Sequence, residues 1–175
     1  RGRALTDVAK ILGIEPVDAV LKLVESDRLK TSAFFFGMSE ENMVKIFAEP
    51  FVMVGTDASL RSPEGPLSKD HPHPRAYGAF PRFLRMAIDG KTVPVQEAIR
   101  KMTSLAAGHF RIEGRGKLAK GMFADVIVVD QERINDVSEY ANPHKLAKGI
   151  ELVVVNGAIT MKQGRFTGER AGRVL

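Results

Sequence analysis

The sequence has no cysteine in its 175 residues. That excludes disulfides and thiolate metal ligands within the chain and is compatible with a reducing compartment, so the cytoplasm is the expected location. It also lacks any apolar run of about 18 residues, the length a membrane-spanning helix needs. The opening stretch, RGRALTDVAKIL, has neither an initiator methionine nor a leader pattern, and it reads as an internal start. A missing N-terminal part of the same protein is therefore expected. A contiguous basic stripe is absent too. The net charge is +5, yet Lys and Arg interleave with Asp and Glu along the whole length, so a nucleic-acid partner is not expected. The 44% hydrophobic content is that of a globular protein with a sizeable core.

In the first part of the chain, helical and strand patterns alternate. Residues 16–25 place Val17, Val20, Leu21 and Val24 on one helical face, with Pro16 suited to the first turn. TSAFFFG, residues 31–37, predicts a short strand. SEENMVKIFAE then predicts a helix capped by Ser39, with Glu40 and Glu41 in the turn where the helix dipole favours acids, stopped by Pro50. FVMVG, residues 51–55, is a continuous apolar run bounded by turn residues, as expected of a parallel strand buried on both faces. Strand, helix and strand at this spacing argue for α/β crossovers.

Residues 57–78 read as a long loop rich in Pro, Gly and charge, and loops of that length in a compact domain are functional or disordered. FPRFLRMAID and PVQEAIRKMTSLAAGHF follow as helical stretches, Val95, Ala98, Ile99 and Met102 sharing a face of the second. The pattern changes near residue 110. ADVIVVD and IELVVVNGAITMKQGRFT are strands with Gly-rich turns, and Asn156-Gly157 is a strong signal for a hairpin with a type I′ turn. The expected division is residues 1–110 and residues 111–175. The second piece would be marginal alone, so it is expected to complete a sheet begun elsewhere.

Asp57 stands just past the apolar run FVMVG. The C-terminal edge of parallel strands collects catalytic groups, and a carboxylate there can move a proton between water and a leaving nitrogen. A turn or capping role is the commoner use of such an aspartate. His71 and His73 have a zinc-ligand spacing, but prolines surround them, no strand precedes them, and no further His or Cys lies nearby, so loop architecture is the expected role. Arg75, behind them, can clamp a carboxylate through two parallel hydrogen bonds, and Tyr77 could donate or stack beside it. His109 and His144 are isolated and are expected to be structural.

VGTD, then HPHPRAYGAFPRFL, then EAIRKMTSLAAGHFRIEGRGKLAKGMFADVIVVD and NPHKLAKGIELVVVNGAITMKQGRFTGERAGRVL together resemble the C-terminal part of the N-acyl-D-amino-acid deacylases, or D-aminoacylases, of the metal-dependent amidohydrolase superfamily. The G-x-L-x-x-G-x-x-A-D pattern is shared by many amidohydrolases, whereas HPRAYGAFPR and the glycine-spaced tail narrow the match. The resemblance implies an α/β fold in which residues 1–110, including the 57–78 loop, are the late segment of a TIM-like barrel. Residues 111–175 would be part of a small β-sandwich-like domain. It implies zinc-dependent hydrolysis of N-acyl-D-amino acids, with the metal ligands upstream: a His-x-His after the first strand, a cysteine and later histidines. By motif, Asp57 matches the general base and acid, placed close to the metal, and Arg75 the arginine that holds a substrate carboxylate, with Tyr77 beside it. The chain alone would be inactive. Where the family often has Ser-Asp-Gly, this chain has Thr56-Asp57-Ala58. The competing readings are a cyclic-amide hydrolase of the dihydropyrimidinase type and a non-catalytic scaffold or oligomerisation module.

Overall fold

A computed structural model describes residues 2–174. Two short helices, α1 (Leu5–Leu12) and α2 (Pro16–Asp27), form a hairpin that the sequence pattern anticipates only in its second half. Ala9 of α1 and Ala19 of α2 are both buried, and side chains this small let two helix backbones approach closely. As a result the apolar face expected of α2 points outward: Val17, Val20 and Leu21 are exposed. Helix α3 (Glu40–Ala48) starts as its sequence dictates. The Ser39 Oγ accepts the Asn42 N–H at 3.3 Å, and Glu41 pairs with Lys45 one turn on.

Neither predicted strand of the first part forms. Residues 31–37 and 51–55 are extended but lie in no sheet; Phe35 is 93% exposed, and Val52, Met53 and Val54 are only half-buried. A parallel strand exists only through hydrogen-bonded neighbours, and the described residues contain none for these two segments. The long loop is also shorter than expected. It contains a single 3-10 turn at Gly65–Ser68, and helix α4 (Arg75–Ile88) already begins at Arg75. The stretch 94–110 breaks at Thr103 into α5 (Val95–Met102) and α6 (Ser104–His109). Val95, Ala98 and Met102 face the core as expected, beside Phe47, Val54, Phe83, Ala87 and Val93, while Ile99 is exposed.

Lys101 is fully buried on α5. Its ammonium donates to the carbonyls of Glu49 and Val52, and Arg100 donates to that of Pro50 at 2.6 Å. Three consecutive-region carbonyls are thereby satisfied by one helix, which fixes the turn from which residues 51–55 run to Asp57.

The last part is one antiparallel sheet of four strands in sequential order: β1 (Val126–Val129), β2 (Ile150–Val155), β3 (Ala158–Lys162) and β4 (Arg165–Phe166). Asn156 and Gly157 take φ of 49° and 84°, the double left-handed geometry of the expected type I′ turn. The approach segment GRGKLAKGMFAD has a mechanical purpose. Arg115 pairs with Asp125 and lies over the Phe123 ring at 4.3 Å, while the Asp125 carboxylate accepts the Asn156 N–H at 2.8 Å, so the segment locks onto the hairpin turn. Burial works to raise the Asp125 carboxyl, but the Asn156 N–H and Arg115 outweigh it and hold it below its ordinary value. Its stabilising contribution is then fully present above the ordinary aspartate range and lost as the pH falls through the lowered value. Asp125→Asn should cost about 1 kcal/mol at neutral pH. Urea titrations should show that deficit closing on strong acidification.

Candidate active site

Asp57 and Arg75 lie 18 residues apart in sequence and meet across the mouth of one cleft. The cleft has a volume of about 350 Å³ and is lined by Phe34, Asp57, Arg61, Asp70, His73 and Arg75 among others. Asp57 sits at the end of the extended 51–55 segment with φ of 45°, in the left-handed region that Asp tolerates better than most residues. Ala58 has no such backbone, so the alanine in place of the family's glycine is accommodated without strain. The Asp57 side chain is 94% exposed, and its partner is the Arg75 Nη2, 3.0 Å from Oδ2 and 2.9 Å from the Asp57 carbonyl oxygen.

Arg75 is held from behind. It opens helix α4, and its backbone N–H donates to His73 Nδ1 at 3.0 Å. With Nδ1 accepting, the neutral His73 ring carries its proton on Nε2, which faces the Tyr140 hydroxyl at 3.1 Å. Burial and then the neighbouring Arg75 charge lower the His73 pKa, which favours this neutral form. The His71 Nε2–H donates to the Tyr140 carbonyl at 2.6 Å. The ring of Tyr140 packs on Phe34, Phe36 and His73. The two histidines thus face each other's neighbour Tyr140 and bind the loop to a residue 67 or more positions away.

Tyr77 does not line the cleft. Its hydroxyl donates to His144 Nδ1 at 3.1 Å, and the His144 Nε2–H donates to the Asp70 carbonyl at 2.9 Å. Burial raises the Tyr77 phenol, so it keeps its proton for that bond. His144, expected to be structural, is the middle link of this chain, whereas His109 stacks on its neighbour Phe110. Sequence reasoning missed Arg61, Asp70 and Tyr140. Arg61 and Asp70 form a 2.8 Å ion pair at the cleft wall, and two opposite charges at the ends of a Pro-Gly loop were the available signal. For Tyr140 no local signal existed.

No three His, Asp or Glu side chains converge on a metal-sized space among the described residues. His73 has both ring nitrogens engaged by protein groups, which leaves it no lone pair for an ion. The residues present do not compose a zinc centre by themselves. No helix among the described residues is long and apolar enough to cross a membrane.

An exposed carboxylate and a guanidinium thus share one cleft at the end of an extended apolar segment, and the sequence as a whole matches a known class. Residues 53–161 match the model of the amidohydrolase family, and the chain belongs to that family. Among individual relatives, it is 38% identical to D-aminoacylase of Alcaligenes xylosoxydans xylosoxydans over 99% of its own length and 34% of the relative's. It is 34% identical to N-acyl-D-glutamate deacylase of the same organism, over 99% of this chain and 33% of that one. A solved D-aminoacylase, studied for its binuclear metal centre, superposes with a TM-score of 0.78 at 34% identity, covering 98% of this chain and 34% of that one. N-acyl-D-glutamate deacylase from Bordetella bronchiseptica, complexed with zinc and a phosphonate mimic of the tetrahedral intermediate, gives 0.78 at 33% identity, covering 99% and 34%. The chain thus spans about a third of the length of the relatives it matches, and their fold supports the α/β class.

Proposed function

We propose that the chain is the C-terminal part of a zinc-dependent N-acyl-D-amino-acid deacylase acting in the cytoplasm. Residues 1–110 are the late segment of its barrel, and residues 111–175 part of its small β-domain. The outward apolar residues of α2 and of 34–38 support this reading, because surfaces of that kind belong against further protein. So do the two extended segments, which have no neighbouring strands among the described residues. The zinc ligands come from the preceding part of the protein, and this chain alone is inactive.

The observation that carries the reading is the meeting of Asp57 with Arg75 in one cleft of a chain similar to deacylases along its full length. Arg75 holds the carboxylate of the N-acyl-D-amino acid, which orients the amide toward Asp57. Asp57 takes a proton from the attacking water as its oxygen bonds to the acyl carbon, then delivers that proton to the nitrogen as the carbon–nitrogen bond breaks. The products are the carboxylate of the acyl group and the free D-amino acid. Tyr77, anchored on His144, steadies the helix end that presents Arg75.

The test is a deacylation assay of the intact enzyme on a panel of N-acetyl-D- and N-acetyl-L-amino acids, beside cyclic amides. Selective release of D-amino acids is expected. Turnover of cyclic amides in preference to linear ones would overturn the assignment and favour a cyclic-amide hydrolase.

A further inference from the structure

Each edge of a guanidinium that can grip a carboxylate with two parallel bonds uses a hydrogen of Nη2, paired with Nε–H on one edge and with Nη1 on the other. In this site the Arg75 Nη2 is already committed twice, to Asp57 Oδ2 at 3.0 Å and to the Asp57 carbonyl at 2.9 Å. Its Nε and Nη1 make no hydrogen bond among the described residues, and the side chain is 45% exposed at the cleft. A substrate carboxylate entering there finds free donors on both edges, but it completes a bidentate grip only by drawing Nη2 away from Asp57. The Asp57 carboxylate has no hydrogen-bond donor other than Arg75 among the described residues, so the same movement frees it. The backbone of Arg75 stays where it is, tied to His73 Nδ1 at the start of a 14-residue helix, and the exchange takes place in the side chain.

We infer that Arg75 is a latch on the general base, opened by the substrate's own carboxylate, so that an anionic N-acyl amino acid both binds to Arg75 and releases Asp57 for proton transfer. The inference rests on the proposed roles of Asp57 and Arg75 and adds a coupling between them. Carboxylate recognition then acts on turnover as well as on binding. The nearby Arg61 is held by Asp70 at 2.8 Å and does not offer a second free fork.

The experiment compares an N-acetyl-D-amino acid with its neutral carboxamide in the intact enzyme, as wild type, Arg75→Ala, Arg75→Gln and Asp57→Asn. On the acid, both Arg75 variants should lose kcat/KM by about a hundredfold. On the carboxamide, which cannot open the latch, wild-type kcat should be low, and both Arg75 variants should exceed it by about tenfold, the worth of one charge-assisted hydrogen bond removed from Asp57. Asp57→Asn should be inactive on both substrates. Arg75 variants no faster than wild type on the carboxamide, with Asp57→Asn still inactive, would overturn the latch and leave the base. Activity retained by Asp57→Asn would remove the base, and the latch with it.

Discussion

Asp57→Asn in the intact enzyme should lower turnover of N-acetyl-D-amino acids by roughly 10²–10⁴-fold, the range a positioned general acid–base contributes. Asparagine is the right probe because it tolerates the left-handed backbone at φ 45° nearly as well as aspartate, so the loop keeps its course. It also keeps an oxygen within reach of the Arg75 Nη2, which now bonds Oδ2 and the main-chain carbonyl together. What is lost is the capacity to take up a proton. Metal content measured by elemental analysis should be unchanged, since the removed function is the proton shuttle. Turnover within tenfold of wild type would rule out Asp57 as the base.

Gly149→Ala should have the largest effect on folding, on the order of 4 kcal/mol. Two terms add. The backbone there has φ of 77°, which costs a side-chain-bearing residue roughly 1–2 kcal/mol. A Cβ would also come within 2.3 Å of the Ile134 nitrogen and 2.6 Å of the Arg133 carbonyl carbon, atoms of a fixed backbone that cannot yield as a flexible side chain would. Relief would need the 133–134 strand-side turn to separate from the start of β2, breaking the 2.9 Å bond from the Asp130 N–H to the Gly149 carbonyl and unpacking the buried Ile134. Gly164→Ala provides the comparison. It has a similar φ of 73° but open space around its Cβ position, so it should lose only about 1 kcal/mol. Denaturation midpoints of the two variants should differ accordingly, and equal midpoints would show that the close approach at Gly149 is absorbed elsewhere.

Local chemistry was readable wherever it acts over a few residues. Ser39 caps α3 because its hydroxyl needs only the N–H three residues on, and Asn156-Gly157 turns the hairpin because both residues tolerate positive φ. Apolar periodicity was less secure. It placed Val95, Ala98 and Met102 on the core face of α5, whereas on α2 the face it grouped carries Val17, Val20 and Leu21 exposed while the smaller Ala19 is fully buried. The strands at 31–37 and 51–55 had the right composition, yet composition cannot supply the neighbouring strands that make a ladder. Lys101 illustrates the reverse failure. A lysine on a helix reads as a solvated face, and only the two carbonyls of Glu49 and Val52, brought to its ammonium by the fold, explain why this one is fully buried.

By itself the sequence determined the capped helix α3, the change from helices to strands near residue 110, the hairpin, and Asp57 and Arg75 as the residues to examine. All of these depend on residue type and on neighbours close along the chain. Only the tertiary structure decided that Arg75 opens a helix, that its guanidinium lies on Asp57, and that His71, His73 and His144 tie the loop to Tyr140 and Tyr77. Those contacts join residues from 18 to 74 positions apart. Nothing in the local pattern of either partner encodes them, because they follow from where the packed helices and the sheet bring distant backbone together.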